Sequence, residues 1–493
     1  METLTYVFQF ETILLLILGL LIGLFIGALP GLSSVMGVAL MLPITFGMEP
    51  INGILLLIGV YFGSIYGGSL TAILINTPGT PASAASVIDG YSLTKKGLAY
   101  KALQVSTVSS AIGGVVGVIL LILVAPQLAE FALRFSAPET FALALFGLSV
   151  ISTLTAGSYA KGMMSGLAGL IIATVGLDPI SGVTRFTFGN VQLLGGVSFI
   201  AAMIGLFATS EAFRMVEDKI RNTDSSQTIN KVKLKWSEFR AVFLTILGSS
   251  GIGTFIGMIP GAGADIASFV AYNEAKRFSK NKKEFGNGSL RGLAAPEAAN
   301  TGLTGGAMVP LLTLGIPGDA VTAVLLGALT VQGLQPGPQL FVSDGSLVYA
   351  LFIGMLLANL FILIIGFSGI RFFTKILKVP GHFLMPVILV LSVVGAYALN
   401  NNYFDVIVMF AAGIGGYFMK KFNFPVAPLI LGLILGPLLE SNLRRSIILA
   451  QGDMTIFLTR PITVVLLALA VLTLLSPLWN IRKKWKPDVK GEI

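Results

Sequence analysis

Apolar runs recur along the chain from Thr12 to Leu478, separated by short polar or basic stretches. Most are about 20 residues long, the length that crosses a hydrocarbon core as helix. The pattern predicts an all-α polytopic membrane protein. Full spans are expected near 103–124, 141–158, 161–177 and 191–213, then near 346–370, 382–399, 403–419, 424–439 and 461–479. Four further apolar segments carry a Pro-Gly in their interior: 11–47 at Pro30-Gly31, 51–91 at Pro78-Gly79, 241–275 at Pro260-Gly261 and 292–335 at Pro317-Gly318. Irregular backbone at membrane depth is tolerated only where protein or a cavity satisfies it. These breaks are therefore the first places to look for function.

Composition agrees with the pattern. Only 11% of the residues are charged and 55% are hydrophobic, against roughly 25% charged in a soluble domain. There is no cysteine, which removes disulfides, thiolate metal sites and cysteine nucleophiles. Met1-Glu2-Thr3 lacks the basic start of a signal peptide, so the first apolar segment is expected to stay in the mature protein.

Charge then orients the spans. Of the 32 Lys and Arg residues, 27 fall in 95–101, at Lys161, in 214–240, 276–291, 371–378 and 420–421, and in the tail from Arg482. Arg134, Arg185, Arg444, Arg445 and Arg460 fall in loops that alternate with these. The positive-inside rule places the first set in the cytoplasm, with a cytoplasmic C-terminus and a periplasmic N-terminus. Segment 241–275, basic on both flanks, becomes a re-entrant hairpin from the cytoplasm, and 11–47 one from the outside. Segments 51–91 and 292–335 each cross once as broken helices, giving about 11 full spans plus two hairpins. Because topology accounts for the basic residues, the net charge of +9 argues neither for an anionic substrate nor for nucleic acid.

The two hairpins also match in sequence. Gly23-Leu-Phe25-Ile26-Gly27-Ala-Leu-Pro30-Gly31 aligns with Gly253-Thr-Phe255-Ile256-Gly257-Met-Ile-Pro260-Gly261, identical at six of nine positions. Downstream, Gly67-Gly68 and Pro78-Gly79-Thr80 align with Gly305-Gly306 and Pro317-Gly318-Asp319 if one residue is inserted. The expected organisation is two inverted-topology repeats, 1–213 and 241–481, joined by a cytoplasmic linker at 214–240 and followed by a tail at 482–493. Such repeats, with broken helices meeting near the midplane, are common in secondary transporters.

A half-helix N-terminus offers free N–H groups and the positive end of a dipole, which suits a carboxylate. The preceding C-terminal carbonyls suit a sodium ion. Substrate contacts are accordingly expected at Gly31, Ser33, Ser34, Gly79, Thr80, Ser83, Gly261, Ala262, Gly263, Asn300, Thr301 and Gly318. Ion contacts are expected at Asn76, Thr77, Asp265, Gly315 and Asp319. The competing reading is that Pro-Gly kinks packed helices and small residues let backbones approach. Asp265, Glu297 and Asp319 lie in or beside apolar segments, where a carboxylate is costly and a functional role is the default. Asp319 either caps the following half-helix or binds an ion, Asp265 caps, pairs or binds a cation, and Glu297 is either buried or interfacial. His382, the only histidine, reads as interfacial. No H-E-x-x-H, P-loop, G-x-S-x-G or Cys/His pair occurs, so no enzyme is expected.

Gly27-Ala-Leu-Pro-Gly31, Tyr66-Gly-Gly-Ser69, Asn76-Thr-Pro-Gly-Thr-Pro81-Ala-Ser83, Gly257-Met-Ile-Pro-Gly-Ala-Gly-Ala-Asp265, Pro296-Glu-Ala-Ala-Asn300 and Leu314-Gly-Ile-Pro-Gly318 together resemble the large membrane subunit of tripartite tricarboxylate transporters. The resemblance covers nearly the whole chain. It implies secondary uptake of carboxylates across a bacterial inner membrane, coupled to sodium or protons, with no cofactor and no metal beyond a sodium ion. It also implies a periplasmic solute-binding protein and a small multi-span membrane subunit as partners. An elevator-like movement of the hairpin tips against the other spans is the expected mechanism. An anion channel or a membrane assembly subunit is the rival reading.

Overall fold

The computed structural model describes residues 7–29, 32–154, 159–178, 180–217, 232–376 and 384–484. Among these residues the chain is helical apart from one short strand pair. Seven helices are long and apolar enough to cross a membrane, and six shorter apolar helices accompany them.

The first hairpin segment consists of α1 (Phe10–Gly27) and α2 (Ser34–Met41). Pro30 and Gly31 between them lie outside the described residues. Pro50 opens α3 (Pro50–Ile75), whose 24 buried positions from Ile51 to Leu74 enclose it on all sides. Asn76 ends it in the left-handed conformation, φ 59, a common helix C-terminus for Gly or Asn. After the break come a single turn at Pro81–Ser83, α4 (Ala84–Lys95) and α5 (Ala99–Ala132). Next are α6 (Ala137–Leu154), α7 (Tyr159–Ala173) and an antiparallel pair, β1 (Gly176–Leu177) with β2 (Thr184–Arg185). The span expected at 191–213 starts later: α8 (Phe199–Met203) runs through a π-helical stretch, Ile204–Thr209, into α9 (Ser210–Glu217). Glycines at 189, 195 and 196 delay it.

The second half follows. It has α10 (Trp236–Gly257), α11 (Ala264–Phe278), α12 (Leu290–Leu314), a break, α13 (Ala320–Val331) and α14 (Gly345–Ile376). It ends with α15 (Leu384–Asn400), α16 (Tyr403–Lys421), α17 (Val426–Leu449) and α18 (Pro461–Lys484). Arg444 and Arg445 lie within α17, not in a loop, because the segment after the apolar run, Glu440 to Ile448, contains no helix breaker. Residues 218–231 of the linker, 485–493 of the tail, and His382 lie outside the described residues.

Close backbone approach sets the helix pairs. A Cβ on Gly23 or Gly27 of α1 would strike the carbonyl of Val60 or Ser64 of α3, and one on Gly253 or Gly257 of α10 that of Ala299 or Leu303 of α12. Small residues every fourth position permit this contact. The same contacts correct the alignment: Gly67 meets Leu24 and Gly306 meets Thr254. Gly67 therefore occupies the place of Gly306, not Gly305, and no residue is inserted between there and the breaks.

Contacts also give directions. Gly113 and Gly117 of α5 face Ala298 and Gly302 of α12, so those helices run parallel. Gly354 and Gly366 of α14 face Leu55 and Tyr66 of α3, another parallel pair, while Gly114 and Thr107 of α5 face Asn359 and Gly366, an antiparallel one. It follows that α3 and α12 run in opposite directions.

The chain divides into two compact units, each drawing on both halves: residues 1–133 with 200–417, and 134–199 with 418–493. In the second unit α17 packs on α6 and α7. Arg185 there grips both Glu440 oxygens, at 2.5 and 3.1 Å, and Arg444 reaches Asp178 at 2.6 Å and Glu440 at 2.7 Å. All four interrupted segments belong to the first unit.

Candidate functional site

The most polar of the buried helices is α12. It has 25 residues yet is not among the seven strongly apolar helices, and every position from Gly292 to Thr313 is buried. Glu297, Asn300, Thr301 and Thr304 point into protein, not lipid. Two hydroxyls are satisfied locally: Thr301 donates to the Glu297 carbonyl and Thr304 to that of Thr301, both at 2.7 Å. Glu297 and Asn300 are not.

Glu297 is held by three serines from two other helices. Ser86 of α4 donates to Oε1, and Ser106 and Ser110 of α5 donate to Oε2 at 2.7 and 3.1 Å. Ser69 of α3 faces the same carboxyl group. Among the described residues no Lys, Arg or His pairs with it. The sequence located Glu297 but not these serines. A pair of serines one turn apart on an apolar helix was the available signal.

One turn further along α12, Asn300 is 1% exposed, and neither its Nδ2 nor its Oδ1 has a hydrogen-bond partner among the described residues. Thr80 Oγ1, 3% exposed, faces the Ser83 N–H in a capping-box arrangement but makes no hydrogen bond of its own among those residues. The antiparallel register of α4 on α12, with Asp89 beside Ser289 and Ser86 beside Glu297, carries Ser83 and Thr80 to the level of Asn300 and the turn beyond. The Pro81–Ser83 turn packs on α12 accordingly. Ser83 Oγ donates to the Thr80 carbonyl at 2.8 Å. Gly79 is fixed by its N–H to the Gly68 carbonyl, 3.2 Å, and has no room for a Cβ against Gly27. Asn76 and Pro78 are exposed and Thr77 is half-buried, so the first break is open on one side.

The second break is closed. Gly315 ends α12 in the left-handed conformation, and Ile316 through Asp319 are buried. The Gly261 N–H reaches the Gly318 carbonyl at 2.7 Å, docking the second hairpin tip onto the break. Asp319 caps α13: Oδ1 accepts the Thr322 N–H at 2.7 Å and the Thr322 hydroxyl at 2.8 Å, and Oδ2 accepts the Tyr61 hydroxyl at 2.7 Å. Both oxygens are thus engaged by protein donors.

The remaining expected residues are spread over the tips. Ser33 caps α2 by accepting the Met36 N–H at 3.2 Å, and Ser34 is buried in its first turn. Ala262 is buried, Gly263 caps α11, and Asp265 lies half-buried in that helix's first turn, with its carboxylate folded back over Gly263. A negative charge there is favoured by the helix dipole. Gly31 lies outside the described residues. The structure therefore gathers Thr80, Ser83, Asn300 and Thr301 around α12, and Gly261 with Gly318 at the second tip.

Residues 13–431 match the family described as the tripartite tricarboxylate transporter TctA family. A curated relative, an uncharacterized 52.8 kDa protein in the TAR-I ttuC' 3' region of Agrobacterium vitis, is 39% identical over 92% of this chain and 90% of its own length. A protein in the TAR-II ttuC' 3' region of the same organism is 41% identical over 47% of this chain and 96% of its own. No solved structure matches.

Proposed function

Because the chain belongs to the tripartite tricarboxylate transporter TctA family, we propose that it is the membrane-embedded permease of a secondary importer of tricarboxylates or related carboxylates. The observation that carries this reading is that two buried polar side chains, Asn300 on α12 and Thr80 at the first break, have no hydrogen-bond partner among the described residues. A buried polar group left unsatisfied costs about 1–3 kcal/mol. Asn300 Nδ2 and Thr80 Oγ1 can donate to a carboxylate.

The opposed directions of α3 and α12 support two inverted repeats. One offset in numbering relates Asn76 to Gly315, Gly79 to Gly318 and Thr80 to Asp319, and both members of each pair hold the same position at their break. The two are unequal in access, the first open and the second covered, as expected of a carrier resting with one side accessible. Coupling to sodium, orientation with the N-terminus periplasmic, an elevator-like movement of the tips, and partnership with a small membrane subunit and a periplasmic binding protein complete the reading.

The test is uptake and counterflow in proteoliposomes containing the partner proteins, under imposed sodium or proton gradients, with a panel of dicarboxylic and tricarboxylic acids. Gradient-driven uptake with trans-stimulation by unlabelled substrate is the expected result. Uptake without trans-stimulation would identify a pore instead.

A further inference from the structure

The carrier reading leaves Glu297 without a task, although it is 1% exposed and has no cationic partner among the described residues. We propose that Glu297 and the serines around it, Ser69, Ser86, Ser106 and Ser110, form the binding site of the coupling cation, and that this cation is Na+.

The donor set carries the identity. Every group that bonds to the carboxylate is a hydroxyl, and no N–H donor takes part. An N–H can only donate, whereas a hydroxyl that donates to Glu297 keeps lone pairs to offer a cation. Hard oxygen ligands suit hard cations. A single carboxylate balances one positive charge, whereas calcium sites use several carboxylates and magnesium keeps its waters.

A bare proton would need none of the surplus oxygens. Ser69 Oγ faces the carboxyl group, is 0% exposed and has no partner besides that group among the described residues, and Asn300 Oδ1, one turn along the same helix, has none there either. Multidentate coordination uses both, and protonation of Glu297 uses neither. The titratable group facing Glu297 is Tyr66 of α3, whose hydroxyl is already paired with Thr107 Oγ1 at 2.8 Å. An unpaired carboxylate is unfavourable in a protein interior, which a bound cation offsets.

Placement explains the coupling. Ser69 lies on α3 before the first break, Ser86 on α4 after it, and Glu297 on α12 beside Asn300. A cation held by all three fixes the geometry of the break at which Thr80 and Asn300 await substrate. This assignment rests on the carrier reading for its meaning but not for its test.

That test measures thermal unfolding of the purified full chain in detergent while NaCl is titrated against KCl or choline chloride at constant ionic strength. The wild type should show a saturable rise in unfolding temperature with Na+ alone, and Glu297→Gln should lose it. Should Glu297→Gln not fold, Ser106→Ala with Ser110→Ala keeps the carboxylate and should weaken the apparent Na+ affinity on the order of tenfold. A Na+ response that survives unchanged in these variants overturns the assignment. So does a wild type that responds equally to K+, or only to acidification. Because the readout is binding, failure of wild-type counterflow would overturn the carrier reading while leaving this result standing.

Discussion

The Tyr61 hydroxyl donates to Asp319 Oδ2 at 2.7 Å, joining residues 258 positions apart and tying the buried helix α3 to the cap of α13. Under the proposed inverted repeat, Asn300 takes the place of Tyr61 and Thr80 that of Asp319. The long phenol closes the gap at one break, whereas the two short side chains leave theirs unbridged. The same scaffold thus yields one bonded pair and one unpartnered pair.

Tyr61→Phe should therefore destabilise the protein without touching substrate. Losing this donor leaves a buried acceptor unsatisfied, at a cost of about 1–3 kcal/mol, so unfolding should shift to lower temperature or denaturant concentration. Asp319→Asn retains an N-cap side chain and should keep most of the stability, whereas Asp319→Ala should cost about 1 kcal/mol for the cap and strand the Tyr61 hydroxyl as well. Sodium dependence of uptake should survive Asp319→Asn. Its loss would assign the ion to Asp319.

Gly318→Ala should be among the most damaging single changes. A Cβ there would sit 2.6 Å from Ala307 Cα and 2.7 Å from the Gly257 carbonyl, both backbone atoms that cannot rotate away. Overpacking of this kind costs about 1–3 kcal/mol or more, and expression or unfolding assays should show it. Gly248→Ala is the matched control. Nothing lies within 4 Å of that Cβ, and alanine in a helix is favoured by up to about 1 kcal/mol.

Much of this was legible from local chemistry. Pro and Gly announce a broken helix by what they cannot do, and the breaks at Pro78-Gly79, Pro260-Gly261 and Pro317-Gly318 fall where those residues stand. The doublets Gly67-Gly68 and Gly305-Gly306 misled because identity in sequence competes with geometry: Gly67 and Gly306 face Leu24 and Thr254, whereas Gly68 faces Thr80 and Gly305 faces Gly117. The serine cage was illegible for another reason. The three serines that bond to Glu297 are 187 to 211 residues from it, and serine in a membrane helix is too common to signal a distant partner.

Asp89 offers a prediction at the other end of α4. Buried and without a cation, it accepts the N–H groups of Gly286 at 3.0 Å, Gly288 at 2.7 Å and Ser289 at 2.8 Å, and the Tyr272 hydroxyl at 3.0 Å. The loop before α12 is thereby clamped onto α4. Alanine in its place would strand these buried donors, so Asp89→Ala should release the loop. Limited proteolysis between Ser279 and Ser289 should become faster than in the wild type.

The charged network of the second unit predicts a pH dependence. Asp178 is held well below the usual carboxylate range, chiefly by the backbone N–H groups of Ser181 and Ile180 and further by Arg444. A depressed folded-state value means that its contribution is complete above the unfolded value of about 3.9 and is lost as pH falls below that. The stability difference between wild type and Asp178→Asn should be constant from neutral pH down to about pH 5 and narrow below about pH 4. A difference that already changes near neutrality would mean that another group controls it.

Asn300→Leu and Thr80→Val test the substrate pocket through opposite effects on stability and transport. Each removes buried polar atoms that have no hydrogen-bond partner among the described residues, at nearly constant volume. Because an unsatisfied buried group costs about 1–3 kcal/mol, either variant should unfold at a temperature equal to or above that of the wild type. Uptake should nevertheless fall steeply, since the groups that would meet the carboxylate are gone. A purely structural role predicts the opposite pairing, with stability lost and residual transport in proportion to folded protein. Measuring unfolding and uptake on the same preparations separates the two, and a destabilised but still active Asn300→Leu would remove Asn300 from the pocket.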